Sequence, residues 1–361
     1  MPNVSSVLRA TFSIALAAAC LQTGWAQATT DRSSSNAAVK EIAPARIHVD
    51  KAKATGVLPL YVSMNWAKPL PQVTRALLVF HGKLRNADDY NRSGLTAVSN
   101  AKAEASTLLI TPQFLGQQDI DAFHLAPEVL RWAPEAWMGG EDAIAPAAIS
   151  SFDAIDAILN HLADRRIFPN LKTVVIAGHS GGGQVVERYA IVGKAPEQLK
   201  RAGIATRYIV ANPSSYLYFS PERPLEDGAF GIPPKSCFGK YNHWKYGIEQ
   251  PPSYVGDASF PALEDRFMKR DVIYLLGTKD TDPDHPALDK TCSAEDEGAY
   301  RYIRGHNYFR YLQSRHPGIT QRLWDVEGVE HDGDKMFNSP CGLSAIFDVG
   351  SCPTAGKSMA K

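Results

Sequence analysis

The chain has 361 residues, 44% of them hydrophobic, enough to bury one large core or two smaller ones. Its 38 lysines and arginines balance 38 aspartates and glutamates. That balance removes the electrostatic case for nucleic acid or an anionic membrane surface as partner; a neutral substrate fits better, and no protein partner is indicated.

Residues 1–28 read as a leader removed on export. Arg9 precedes an apolar stretch at 11–20 that is too short to span a bilayer, and Ala26 and Ala28 form a small-x-small cleavage site, with a mature start near Thr29. A buried N-terminal helix is the alternative. Residues 29–45 are small and polar and predict a disordered linker. A single domain is expected over 46–350, followed by a tail at 351–361.

Within that domain "RIHVD" and "LPLYVSMNW" predict two strands joined by a turn at "KATG". Six further segments, "RALLVFHG", "STLLITPQF", "KTVVIAGHS", "TRYIVANPSS", "DVIYLLGTKD" and "RLWDVEGVEHD", each start apolar and end in glycine or polar residues. Such runs suit strands buried on both faces, and the spacing between them leaves room for crossover helices, so the fold class is α/β with a mostly parallel central sheet. In "ISSFDAIDAILNHLADRR" the apolar Ile149, Phe152, Ile155, Ile158 and Leu162 share a helical face, and "RYIRGHNYFRYLQSRH" has a similar one. Residues 219–268, rich in proline, glycine and aromatics and without periodicity, read as an irregular insertion capping the site. No segment after the leader is apolar for long enough to span a membrane.

The segment Gly178-His179-Ser180-Gly181-Gly182 matches G-x-S-x-G, with an apolar strand immediately before and the helix-forming "QVVERYA" after. The pattern alone is short enough to arise by chance. Its strand–turn–helix setting is what a nucleophile elbow requires: a serine on a sharp turn needs small neighbours for the turn to close, and the helix N-terminus behind it offers free N–H groups to an oxyanion.

Here the chain resembles the α/β-hydrolase superfamily, from about Arg46 to Phe347. The family order is nucleophile, acid, histidine, on loops after successive strands, and Ser180, "LLGTKDTD" and "VEGVEHDG" follow it. The resemblance implies Ser180 as nucleophile, His331 as base and Asp280, three residues after Gly277, as the acid, with Asp282 as the alternative acid. It also implies two backbone oxyanion donors, the N–H of Gly181 and that of Lys83. His81 and His179 are expected to be structural.

Substrate walls are open between two readings. Trp137 and Met138, with Trp132, precede a glycine pair, and Ser215 and Tyr216, with Ser214 and Tyr218, follow the strand at 206–211; either set lines a pocket or covers the core edge. Asp282, Asp284, His285 and Asp289 raise calcium, but without an EF-hand glycine an exposed acidic loop is expected and no metal. No phosphate-binding glycine loop follows a strand, and no cofactor is expected. Removal of Cys20 with the leader leaves Cys237, Cys292, Cys341 and Cys352, which predict two disulfides in an oxidising compartment. Three pairings are open; 341 with 352 would close a short loop and leave 237 with 292 to tie down the insertion. No C-x-x-C spacing supports zinc.

The resulting expectation is an exported enzyme, periplasmic or secreted, that cleaves small or polymeric carboxylic esters through an acyl-enzyme. The alternatives are an amidase or peptidase or a polyester depolymerase on the same triad, and, from another class, a binding protein that kept the fold and lost catalysis.

Overall fold

Strands of this chain that are apolar from end to end stack side by side at the centre of the computed structural model, which describes residues 36–233 and 239–354. The expected leader, the C-terminal part of the tail and Cys237 lie outside the described residues. In chain order the strands are β1 (Ala45–Lys51), β2 (Ala54–Val62), β3 (Arg75–Phe80), β4 (Thr107–Pro112), β5 (Thr173–His179), β6 (Ala205–Ala211), the short β7 (Arg223–Pro224) and β8 (Phe230–Gly231), β9 (Asp271–Gly277) and β10 (Arg322–Val326). An eight-stranded sheet runs β1-β2-β4-β3-β5-β6-β9-β10, and β7 pairs with β8 in a separate ribbon. β2 pairs antiparallel with β1 and β4, while every pairing from β4 onward to β10 is parallel.

The helices are α1 (Ala87–Asn100), α2 (Gln117–Phe123), α3 (Ser151–Leu162), α4 (Gly181–Val192), α5 (Pro196–Arg201), α6 (Phe260–Phe267), α7 (Cys292–Glu295), α8 (Arg301–Arg315), α9 (Gly333–Asn338) and α10 (Pro340–Phe347). Side chains alternate between the two faces of the sheet. Leu78, Ile176 and Val210 pack with Ile155 of α3, Val185 of α4 and Tyr308 of α8. Leu77, Val175 and Ile209 face Val98 of α1, Phe337 of α9 and Ile346 of α10 on the other side. Burial on both faces is why β3 and β5 read as continuous apolar runs rather than alternating ones.

The helix expected within 149–166 runs from Ser151 to Leu162 and is capped at its start: the Ser150 side chain accepts from the Phe152 N–H, and Asp153 completes a capping box. At the far end of α4 the carbonyls accept from two arginines, Arg266 of the insertion and Arg270 just beyond it. Arg270 donates to the carbonyls of Tyr189, Ala190 and Gly193 at 2.5–3.2 Å, and Arg266 to that of Ile191 at 2.9 Å. Cations there also oppose the negative end of the helix dipole.

The described residues of 219–268 gather around buried arginines. Arg223 donates to the carbonyls of Ser220, Glu222, Tyr241 and Tyr246, and Arg188 of α4 reaches across to the carbonyl of Lys245 at 2.7 Å. Cys341 and Cys352 form a disulfide, and Cys292 is also disulfide-bonded. Among the described residues no helix is long and apolar enough to cross a membrane.

Candidate active site

β5 ends at His179 and α4 begins at Gly181, so the whole reversal falls on Ser180, whose φ of 59° and ψ of −120° lie in a region that side-chain-bearing residues seldom adopt. The flanking glycines are there for space. A Cβ on Gly178 would stand 2.2 Å from the Gly182 carbonyl oxygen, and one on Gly182 would stand 2.3 Å from the Phe80 carbonyl oxygen at the end of β3. Backbone meets backbone on both sides, which holds the Ser180 hydroxyl at the carboxyl end of the sheet.

The loops after β9 and β10 are stitched together. Lys279 N–H donates to the Val329 carbonyl at 2.9 Å, Thr278 N–H to the Val326 carbonyl at 3.1 Å, and Gly328 N–H to the Thr278 hydroxyl at 2.9 Å. Asn212, just past β6, braces both loops: its Oδ1 accepts from Gly277 N–H at 2.9 Å and its Nδ2 donates to the Glu330 carbonyl at 3.4 Å. These contacts bring Asp280 and His331 to Ser180 from different strands. His331 Nδ1 lies 2.7 Å from Asp280 Oδ2, and His331 Nε2 lies 2.9 Å from Ser180 Oγ. With Nδ1–H donating to the carboxylate, Nε2 is the acceptor for the serine proton. Asp282 is exposed, accepts the Asp284 N–H at 2.8 Å, and does not meet His331.

Burial pushes the Asp280 carboxyl up, and the Arg301 guanidinium beside it opposes that shift. Burial, then Arg301 and His285, push His331 well below the ordinary histidine range, so the imidazole is held neutral and able to accept. His331 also packs against His179, ring centres 4.5 Å apart, and His179 Nδ1 meets the Tyr90 hydroxyl at 3.1 Å.

The Lys83 backbone nitrogen lies 3.1 Å from where a Gly181 Cβ would stand, so the two N–H groups named from sequence flank the same space. Gly181, at the first position of α4, has no intrahelical acceptor for its N–H, and among the described residues Lys83 N–H has none. His81 fixes the loop that carries Lys83: its Nδ1 donates to the Gly82 carbonyl at 2.9 Å, and its Nε2 accepts from Phe114 N–H at 3.0 Å. Full burial pushes it down to about 4, which keeps that pattern in place.

Two clefts meet at Ser180. One of about 410 Å³ is lined by His331, His285, Tyr90, Leu84 and Asp332. The other, about 330 Å³, is lined by Gly181, Met138, Gln184, Ser214 and Leu288. Lys83, Pro286 and Ala287 border both, so the loop after Asp280 overhangs the serine. No described residue of 219–268 lines either cleft.

Of the wall residues named from sequence, Met138 lines the second cleft. Trp137 lines neither: it is buried, stacked on Phe114 at 5.3 Å and against His81 at 4.7 Å. Ser215 and Tyr216 are also turned inward, because the chain after β6 dives under the loops. Ser215 Oγ accepts from Arg188 Nη2 at 3.0 Å, and Tyr216 stacks on Tyr308 at 4.6 Å. Their neighbour Ser214 faces the cleft instead.

Arg301, Asn212 and Tyr90 carry no expectation from the sequence, and His285 is expected there only as a member of the acidic loop. For Arg301 a signal existed: positions 301, 304, 308, 311 and 312 form one face of α8, and two of its members are arginines among aromatics. In the acidic loop, Asp284 pairs with Lys290 at 2.9 Å and Asp289 accepts from the Tyr246 hydroxyl at 2.8 Å. Among the described residues no group of three His, Cys, Asp or Glu could hold a metal ion.

No family model matches the sequence, and no curated protein matches it. Solved structures do. Poly(aspartic acid) hydrolase-1 from Sphingomonas sp. KT-1 superposes with a TM-score of 0.55 at 20% identity, covering 81% of this chain and 96% of its own. A poly(3-hydroxybutyrate) depolymerase from Bordetella parapertussis gives 0.56 at 21% identity, covering 84% and 90%. Taken with the strand order and the single antiparallel strand pairing on each side of β2, this likeness establishes that the chain has the α/β-hydrolase fold.

Proposed function

We propose that the protein is an exported serine hydrolase that cleaves carboxylic esters through an acyl-enzyme on Ser180. The observation that carries this reading is the unbroken line from Ser180 Oγ to His331 Nε2 at 2.9 Å and from His331 Nδ1 to Asp280 Oδ2 at 2.7 Å. A serine hydroxyl is a poor nucleophile until a base takes its proton, and the base must be held in one tautomer by a third group. Ser180 attacks the carbonyl carbon while His331 takes the hydroxyl proton. The oxyanion that forms is received by the N–H groups of Gly181 and Lys83. His331 then returns the proton to the departing alkoxide, and water repeats the sequence on the acyl-enzyme.

His331 must reach the leaving oxygen to protonate it, so the cleft it lines takes the alcohol portion and the cleft lined by Met138 and Gln184 takes the acyl portion. A substrate extended on both sides of the scissile bond suits this division. Paired cysteines in the Cys341–Cys352 disulfide and at Cys292 support export to an oxidising compartment.

A fluorophosphonate probe tests the reading directly. Wild type is expected to be labelled and Ser180→Ala is not; folded wild type that stays unlabelled sinks the proposal. Matched p-nitrophenyl esters and anilides then separate ester from amide cleavage, with esters expected to turn over faster. An anilide rate equal to the ester rate would move the assignment to an amidase.

A further inference from the structure

Arg301 occupies the first turn of α8 with a fully buried side chain, and its guanidinium addresses three partners at once. Nε donates to Ser214 Oγ at 2.9 Å, Nη1 to Asp280 Oδ1 at 3.2 Å, and Nη2 lies 3.5 Å from His285 Nδ1. Asp280 therefore divides its two oxygens, Oδ1 to Arg301 and Oδ2 to His331. His285 in turn packs edge-on against His331 with ring centres 5.0 Å apart, and its Nδ1 accepts from Ala287 N–H at 3.1 Å.

We propose that Arg301 is a positioning residue for the hydrolytic reaction: it fixes the Asp280 carboxylate in the plane that His331 needs and commits half of that carboxylate's charge to itself. The proposal rests on the reading of Ser180, Asp280 and His331 as a triad. A carboxylate as buried as Asp280 would take up a proton if it stood alone, and a protonated acid supports the imidazolium poorly. The buried guanidinium opposes that, since a charge removed from water needs a partner at contact. It also acts on His331. A shared carboxylate gives the imidazolium less support than a whole one, so the Asp280–His331 pair gains its proton at a lower pH and the base stays active in mildly acidic solution.

The groups that face His331 are Asp280 and His285 from the loop after β9, Arg301 from α8, His179 from the end of β5, and Asp332 on its own loop. Tyr90 of α1 acts through His179. Arg301 is the fixed cation in this set, because the others are neutral, titratable or anionic.

The test reads ring titration and rate separately. Nitrogen-15 NMR of the histidine rings is expected to place His331 in the wild type below the ordinary value of about 6.5. Arg301→Gln is expected to raise it by about one unit or more, with the acid limb of kcat/KM moving by the same amount. Arg301→Lys, which keeps the charge and loses the fork, should restore part of the shift. A wild-type His331 titrating at or above the ordinary value overturns the proposal, and that measurement stands even if Arg301→Gln fails to fold. So does an Arg301→Gln enzyme whose activity falls equally at every pH with the midpoint unmoved, since a mere strut would behave so. If the titrations come out as expected but Ser180→Ala still hydrolyses esters, the triad reading fails and the charge-sharing by Arg301 does not.

Discussion

The elbow at residues 178–183 and the described part of the insertion at residues 219–268 hold their shapes by opposite means. In the elbow, backbone is pressed on backbone, and a single methyl group at Gly178 or Gly182 would overlap a carbonyl oxygen. In the insertion and the segment leading into it, buried charges grip backbone from a distance. Arg188 and Arg223 collect carbonyls, while Glu187 Oε1 and Glu297 Oε2 accept the N–H groups of Leu217 and Tyr216 at 3.1 and 2.9 Å. Burial pushes the carboxyls of Glu187 and Glu297 up to about 7 and about 8. Steric confinement leaves a short local pattern in the sequence, and charge-mediated confinement scatters its members over a hundred residues.

The sharpest way to break the comparison is at the acid proposed to serve the elbow. Asp280→Asn is expected to cut kcat by about 10⁴-fold, because an amide lets the imidazole settle in the wrong tautomer. Asp282→Asn, at an exposed carboxylate that does not meet His331, should leave kcat within about twofold of wild type. Steady-state rates on one p-nitrophenyl ester suffice. The reverse pattern would transfer the acid role to Asp282.

Gly182→Ala tests confinement itself. The added Cβ would meet the Phe80 carbonyl oxygen at 2.3 Å and the His81 carbonyl oxygen at 2.8 Å, neither of which is a flexible side-chain end. Overpacking against backbone is expected to cost about 3 kcal/mol or more, read as a lower denaturation midpoint together with lost labelling of Ser180. Wild-type stability and labelling in this variant would mean that the elbow has slack, and the steric account of its glycines would be wrong.

What could be read in advance follows the same division. Apolar runs announced the six parallel strands, and the family resemblance carried by the order of Ser180, "GTKD" and "GVEHD" offered the three side chains that meet at 2.7 and 2.9 Å, with Asp282 left as the alternative to Asp280. Trp137 and Tyr216 could not be placed from sequence, because an aromatic beside glycine or proline serves a pocket wall and a core edge equally well, and only packing against Phe114 or Tyr308 decides. Asn212, Arg301 and His285 act through partners 65, 21 and 16 residues away, beyond any local period. The insertion reads as a cap because it is irregular; none of its described residues lines either cleft, and the loop at 285–291 borders both.

Arg188→Met measures the other mode of confinement. It removes the donors to the carbonyls of Lys245, Gln184 and Ser215 while keeping apolar bulk. Hydrogen bonds from a charged donor are worth more than neutral ones, so a loss of about 2–4 kcal/mol is expected by chemical denaturation. Labelling of Ser180 in the folded variant should stay within about threefold of wild type, because no described residue of the insertion lines a cleft. A labelling rate that fell in step with stability would show that the two regions are mechanically one.

The smallest effect is expected at the rim that links the insertion to the loop carrying Lys83. Lys83 Nζ pairs with Glu135 at 2.6 Å, and Lys245 of the insertion reaches Glu135 at 3.5 Å and Asp289 at 3.6 Å, so a chain of ion pairs rims the second cleft. Lys83 and Glu135 are 36% and 40% exposed, and water screens such pairs to about 1 kcal/mol or less. Glu135→Gln should therefore lower kcat/KM by less than about fivefold, and about 0.5 M salt should bring wild type close to the variant. If the elbow and the His81 loop alone hold the Lys83 N–H, the rim pair is dispensable in this way. A loss of a hundredfold would instead mean that the oxyanion donor is positioned from the rim inward, and that the insertion governs the chemistry through Lys245 and Glu135.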